Sequence, residues 1–240
     1  MIINTRPKNL SQNINALCAK EEIDLTNLHL SEITPISSKE VIVSWEKKLE
    51  DIESYNNIIF TSQASASYGL EILKTKIDLR EIQSNIFSIG LATKKIIKDK
   101  GMSSILPNQP SSEFLAELIL KEYPGRNLLF CGTNSNRTLQ KILKNNIDEI
   151  ACYDLIYSDL EVASVNQGPK IVLIYNYLTF SFIHKAIDRK TLLEKIFIVS
   201  SQRIKDKIRK NFGNEVLDMN IDVAESPSDE SMLKKAKEFI

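Results

Sequence analysis

Short, continuously apolar runs separated by longer amphipathic stretches leave this chain few ways to fold. The runs are MIIN at the start, NIIF (57–60), IFSI (86–89), LLFC (128–131), IVLIY (171–175) and IFIV (196–199). Each has strand length, and none alternates apolar with polar residues. Strands buried on both faces of a parallel sheet read this way. The stretches between them carry helical signals. SSEFLAELILKEY offers Ser112 as an N-cap and brings Phe114, Leu115, Leu118 and Ile119 to one face. ATKKIIKDKG stops at Gly101, as a helix with a glycine C-cap would. This β-then-α rhythm predicts a doubly wound α/β architecture.

The rhythm runs twice. IIFTS, IFSIGLATKKIIKDKG and PNQPSSEFLAELI follow one another in the first half. VLIYNY, IFIVSSQRIKDKIRKNFG and AESPSDESMLKKA follow in the same order in the second. We read two related α/β units, and 240 residues suffice for two cores. Two further segments, 28–36 (LHLSEITPI) and 149–160 (EIACYDLIYSDL), are strand-like, with β-branched and aromatic residues. Paired as a two-stranded β linker, they make 37–148 an inserted domain. Residues 1–32 and 160–240 then form a discontinuous one. The expected fold is two doubly wound, flavodoxin-like parallel-sheet domains.

In open sheets of this class, ligands bind beyond the carboxyl ends of the strands. Those ends read Thr5-Arg6-Pro7, Thr61-Ser62, Gly90-Leu91-Ala92-Thr93, Cys131-Gly132-Thr133-Asn134-Ser135, Asn176-Tyr177 and Ser200-Ser201. Nearly all are small, hydroxyl or amide residues just ahead of a helix. Helix N-termini present unpaired N–H groups and a positive dipole end, and small side chains let an anion approach them. One such end is explained by helix capping alone. The whole set points to a surface for anionic groups.

Bulk properties exclude several classes. Formal net charge is zero, from 31 basic and 31 acidic residues, so no global field draws nucleic acid. An apolar share of 42% with 26% charged residues is that of an ordinary soluble globular protein. Cys18, Cys131 and Cys152 include no C-x-x-C pair, which argues for a reducing compartment and against a disulfide framework or zinc site. His29 and His184 are too isolated to hold a metal and read as packing residues. The N-terminus lacks a signal-peptide pattern, and no apolar run approaches the roughly 18 residues of a membrane helix. The expected location is the cytoplasm, with no membrane partner. No phosphate-binding P-loop, dinucleotide fingerprint or nucleophile elbow is present. The basic stretches KKIIKDK and RIKDKIRK read as solvated helix faces.

Taken in order, the segments resemble the uroporphyrinogen-III synthase family. They are TRP (5–7), IIFTSQAS (58–65), SIGLATKKIIKDKG (88–101), PSSEFLAELI (110–119), LLFCGTNSNRTL (128–139), CYDLIYS (152–158) and AESPSDESML (224–233). The resemblance implies two α/β domains joined by a two-stranded linker, with the active site in the cleft between them. It implies hydroxymethylbilane as substrate, a carboxylate-rich linear tetrapyrrole that is closed to uroporphyrinogen III with inversion of ring D. No cofactor and no metal are implied. The expected protein is a monomer, with only transient contact to the preceding enzyme of the pathway. Such catalysis is mainly orientation of a flexible substrate.

Carried over residue by residue, the resemblance makes Tyr153 the proton donor to the leaving hydroxyl. An ordinary phenol, with a pKa near ~10, is protonated at neutral pH. Tyr157 is its rival, four residues on and on the same face of a regular strand. Thr61 and Ser62 match the family's TS pair, Gly90 and Thr93 its G-x-x-T, and Arg137 an arginine after LLFCG. Contacts with substrate carboxylates are implied for these, and Arg6 and Gly132 join them. Pro227 and Ser228 match a late loop that lines the cleft. In the second half Asn176-Tyr177 replaces the TS pair. The G-x-x-T counterpart near Ser200 and Ser201 lacks its glycine and a clear threonine. Asn176, Ser200 and Ser201 are the candidates there. The rival class is a two-lobed cytoplasmic binding protein for a small anionic ligand. A sugar-phosphate transferase would need a nucleotide loop or acidic metal ligands at a strand end.

Overall fold

The computed structural model describes residues 2–158, 163–167 and 170–240. The chain opens with β1 (Ile2–Asn4), α1 (Gln12–Lys20), β2 (Leu25–Asn27) and β3 (Ser31–Pro35). It continues through α2 (Lys39–Glu50), β4 (Asn57–Phe60), α3 (Gln63–Lys74), β5 (Asn85–Ser88) and α4 (Leu91–Asp99). Next come α5 (Ser112–Glu122), β6 (Asn127–Gly132), α6 (Thr138–Leu143) and β7 (Ile147–Tyr157). The remainder is α7 (Ala163–Gln167), β8 (Ile171–Ile174), α8 (Tyr177–Ala186), α9 (Arg189–Glu194), β9 (Ile196–Val199), α10 (Gln202–Phe212), β10 (Asn220–Val223) and α11 (Asp229–Ala236). Residues 159 and 160 of the expected linker strand, and with them the boundary at 160, lie outside the described residues.

Two compact units result. One is continuous, Ile33–Leu155, and the other joins the chain up to Glu32 with Ile156–Ile240. The continuous unit holds a sheet in the order β3-β7-β6-β4-β5, with β7, β6, β4 and β5 parallel. β3 runs against β7: Ile36 N–H donates to Cys152 O at 3.3 Å, and Ser158 N–H to Leu30 O at 3.1 Å. The discontinuous unit holds β10-β9-β8-β1-β2, parallel throughout. The protein is thus mixed α/β with two parallel-rich sheets.

The continuous apolar runs are explained by cores on both faces. In the continuous unit Ile58, Phe60, Leu128 and Phe130 pack with Leu70 and Leu73 of α3. Ile59 and Leu129 face Leu115 and Ile119 of α5 and Leu139 and Leu143 of α6 on the other side. In the discontinuous unit Val172, Ile174, Phe197 and Val199 meet Phe180 and Ile183 of α8 and Ile208 of α10. Ile2, Leu173 and Ile198 meet Ile14 of α1 and Met232 and Leu233 of α11. Each such side chain contributes about 1.5–3 kcal/mol by leaving water. At Gly69, α3 comes so close to the sheet that a β-carbon would lie 2.6 Å from Phe130 Cδ1. There Phe130 stacks on Phe60 at 5.1 Å.

One local reading changes and one holds. The N-cap of α5 is Ser111, whose side chain accepts from Phe114 N–H, so Ser112 is already helical. That start leaves Phe114 38% exposed while Leu115 and Ile119 turn inward. Gly101 has φ +82 just past the last turn of α4, where glycine lacks the Cβ penalty.

The sequence repeat maps onto β4, β5, α4 and α5 in one unit and β8, β9, α10 and α11 in the other. Strand positions agree further than the repeat does. β9-β8-β1-β2 occupies the places of β5-β4-β6-β7. A parallel bridge between Phe87 and Ile105 stands where β10 lies beside β9. Among the described residues β3 has no counterpart beside β2, and the connection differs. β6 follows α5 along the chain, whereas its counterpart β1 is supplied by the chain's start.

Candidate active site

In the continuous unit, strand order reverses between β4 and β6, and a crevice at their carboxyl ends is the expected ligand site. Ser62 follows β4 with extended backbone (φ −154, ψ 165) and caps α3. Its Oγ accepts from Ser65 N–H at 3.0 Å, and Ser65 Oγ accepts from Ser62 N–H at 2.9 Å. This is a reciprocal capping box. The same Ser62 Oγ lies 3.2 Å from the Tyr153 hydroxyl oxygen.

Tyr153 reaches Ser62 because β7 is irregular. Cys131 pairs with Ala151, but Gly132 pairs with Tyr153, leaving Cys152 without an opposite number. Ile150 and Cys152 already face the core beneath α3. Regular alternation would send Tyr153 to the other face. The bulge returns it to the α3 side, where its ring packs on that same core, 6.4 Å from the ring of Tyr68. The ring lies over Gly132, where a β-carbon would come within 2.7 Å of Tyr153 Cζ. Burial raises the Tyr153 pKa, and the Ser62 hydrogen bond only partly offsets this, so the phenol keeps its proton at neutral pH.

The other candidates of this unit are placed as follows. Thr61 Oγ1 donates to Phe130 O at a long 3.5 Å, tying the ends of β4 and β6. Gly90 is the N-cap of α4, with φ −141, and a β-carbon there would meet nothing within 4 Å. Neither backbone nor packing therefore requires a glycine at that position. Thr93 is 5% exposed. Arg137 donates to both oxygens of Glu149 at 2.7 Å, and Gln140 supports the same carboxylate.

In the discontinuous unit the order reverses between β1 and β8. Arg6, after β1, lies over the Tyr175 ring at 3.9 Å, with Nε 3.2 Å from Asp229 Oδ1. The angle is not that of a hydrogen bond, so Nε has no acceptor and the attraction is purely electrostatic. Arg6 Nη2 donates to Pro227 O at 3.4 Å. Tyr175 donates to Asp229 Oδ1 at 2.8 Å, and Asn13 Nδ2 to Asp229 Oδ2 at 3.1 Å. Burial, then the Asp229 charge, pushes the Tyr175 pKa far up. Ser200 is buried and donates to Tyr175 O at 3.2 Å. Ser201 precedes α10 without a side-chain cap bond, whereas Ser228 caps α11 through Ser231 N–H. Asn176 caps α8 and also accepts from Tyr157 at 3.1 Å.

The profile of the family described as "Uroporphyrinogen-III synthase HemD" matches residues 13–233. The chain belongs to the uroporphyrinogen-III synthase family. Solved structures agree in fold. A mutant uroporphyrinogen III synthase of the extremely thermophilic bacterium Thermus thermophilus matches at TM-score 0.66 and 12% identity, over 99% of this chain and 97% of that one. Uroporphyrinogen-III synthetase of Helicobacter pylori matches at TM-score 0.66 and 17% identity, over 100% and 99%. No curated protein matches the chain by sequence.

Within this uroporphyrinogen-III synthase family member, the structure thus brings Ser62, Gly132 and Tyr153 together in one unit. It gathers Arg6, Pro227 and Ser200 around Tyr175 in the other. Sequence reasoning missed Tyr175 and Asp229, which organise that second group. The available signal was a tyrosine closing the apolar run IVLIY and an acid opening a helix after Pro-Ser. Neither reveals its partner. Among the described residues no helix is long and apolar enough to cross a membrane.

Proposed function

We propose that this chain closes hydroxymethylbilane to uroporphyrinogen III, inverting ring D and releasing water. Family membership over residues 13–233 carries the reading. Tyr153 gives its proton to the hydroxymethyl oxygen. The C–O bond breaks with its electron pair on that oxygen, and water leaves. The azafulvenium left behind is attacked by the substituted carbon of ring D, and the spiro intermediate fragments and recloses the other way round. The proton lost from ring D at final closure restores the phenol. Tyr153 acts as general acid and then as base, so the step balances without a further reagent.

Substrate carboxylates are met at the strand ends. We assign Thr61, Gly90 and Arg137 to this in the continuous unit, with Gly132 seating the Tyr153 ring. Arg6, Asn176, Ser201, Pro227 and Ser228 serve in the discontinuous one. Thr93 and Ser200 are buried, and we assign them to shaping the strand ends rather than to contact. The reading includes two flavodoxin-like domains connected by β3 and β7, and a cofactor-independent hydro-lyase. It also includes a cytoplasmic monomer that meets the preceding enzyme only transiently. The test supplies hydroxymethylbilane freshly made by that enzyme, oxidises the products and separates the porphyrin isomers. Predominance of isomer III is the expected result; isomer I alone, at the spontaneous rate, would exclude the activity.

A further inference from the structure

We propose that Ser62 is a positioning residue for Tyr153, donating its hydroxyl proton to the phenol oxygen from an orientation that α3 has already fixed. The inference rests on the reading of Tyr153 as proton donor. It replaces the expectation that Ser62 itself binds a substrate carboxylate.

A serine hydroxyl has one proton and two lone pairs. Ser65 N–H occupies one lone pair of Ser62 Oγ at 3.0 Å. The proton is left for the Tyr153 oxygen at 3.2 Å, which has no other hydrogen-bond partner among the described residues. A phenol that gives its own proton to the substrate must accept from Ser62. When the phenolate forms, the same bond becomes charge-assisted and strengthens. Ser62 itself sits at the positive, N-terminal end of α3.

The surroundings leave this contact in charge of the phenol. The titratable groups packed near it are Tyr68 of α3, Cys131 of β6 and Cys152 of β7. Burial pushes the two thiols up to about 11 and about 12, so both are neutral. The bulge at Cys152 and the bare backbone at Gly132 set where the ring lies. Ser62 sets where its oxygen points.

A double-mutant cycle tests this on the full chain, with hydroxymethylbilane as substrate. Ser62→Ala removes the hydroxyl. Ser62→Gly does so while keeping a residue that serves almost as well at an N-cap. Both are expected to lower kcat roughly tenfold with KM unchanged, as loss of a hydrogen bond to a developing charge does. The alkaline limb of the kcat profile should move to higher pH. Ser62→Thr should restore both. Added to Tyr153→Phe, neither variant should lower kcat further. A raised KM with unchanged kcat, or a loss that adds to that of Tyr153→Phe, would overturn the inference and return Ser62 to substrate binding. An unaffected kcat in Tyr153→Phe would instead remove the proton-donor reading on which it stands.

Discussion

Tyr175 and Asp229 meet inside the discontinuous unit, the phenol donating to a carboxylate that is only 5% exposed. Asp229 is also the counter-charge of Arg6, whose side chain is 15% exposed. Removing one partner of a buried pair leaves the other uncompensated. Asp229→Ala should therefore destabilise by about 3 kcal/mol. Tyr175→Phe removes one neutral donor and should lose only about 1 kcal/mol. Urea denaturation compares the two, and equal losses would mean that Arg6 does not depend on Asp229.

At Gly132 any side chain displaces the Tyr153 ring. Gly132→Ala should leave a folded protein destabilised by about 1–3 kcal/mol, as overpacking does. Its kcat should fall toward that of Tyr153→Phe. Activity at the wild-type level in a folded Gly132→Ala protein would show that the ring has room to spare.

The two tyrosines of β7 differ in what their hydroxyls hold. Tyr157 has both Asn176 Oδ1 at 3.1 Å and Thr179 Oγ1 at 3.2 Å, so it is engaged within the fold. Tyr153 has only Ser62 among the described residues. Tyr153→Phe should lower kcat about 10²–10⁴-fold, the usual range for a lost general acid. Tyr157→Phe should chiefly lower the melting temperature. Steady-state kinetics beside thermal melts separates the roles, and a larger kcat loss at Tyr157 would reverse the assignment.

Stability should decline on the alkaline side. Burial raises Cys131 from 9.0 to about 11, Cys152 from 9.0 to about 12 and Tyr157 from 10.0 to about 12. Above the lower values the unfolded chain releases protons that the fold retains. The unfolded state then binds fewer protons, so stability falls with rising pH. The contribution is complete below about pH 9 and disappears toward about pH 12. Denaturation midpoints across that window should drop steadily. Near neutral pH the thiols should resist alkylation until the protein unfolds.

The legible part of this fold was its interior. NIIF and IFIV are β4 and β9 residue for residue, because strands covered on both faces must be apolar throughout. The edge strands β2 (LTN) and β10 (NIDV) gave no such signal, since among the described residues one side of each has no neighbouring strand and polar residues are tolerated there. At the site, Tyr153 and Ser62 could be named from the sequence. Their contact could not, because it depends on a one-residue bulge at Cys152. Arg6 was readable as a cation but not as the partner of Asp229, over two hundred positions away.

The divided strand order of the discontinuous unit also governs how the protein is made. Ile2 pairs beside Ile171, and Ile2 and Ile14 are covered by Met232 and Leu233 of α11. During vectorial synthesis the first strand leaves the ribosome long before its neighbour β8 exists. The continuous unit, Ile33–Leu155, has all its strands in hand by then. It can fold while the apolar N-terminal segment waits, exposed to chaperones and to aggregation, for the last helix to emerge.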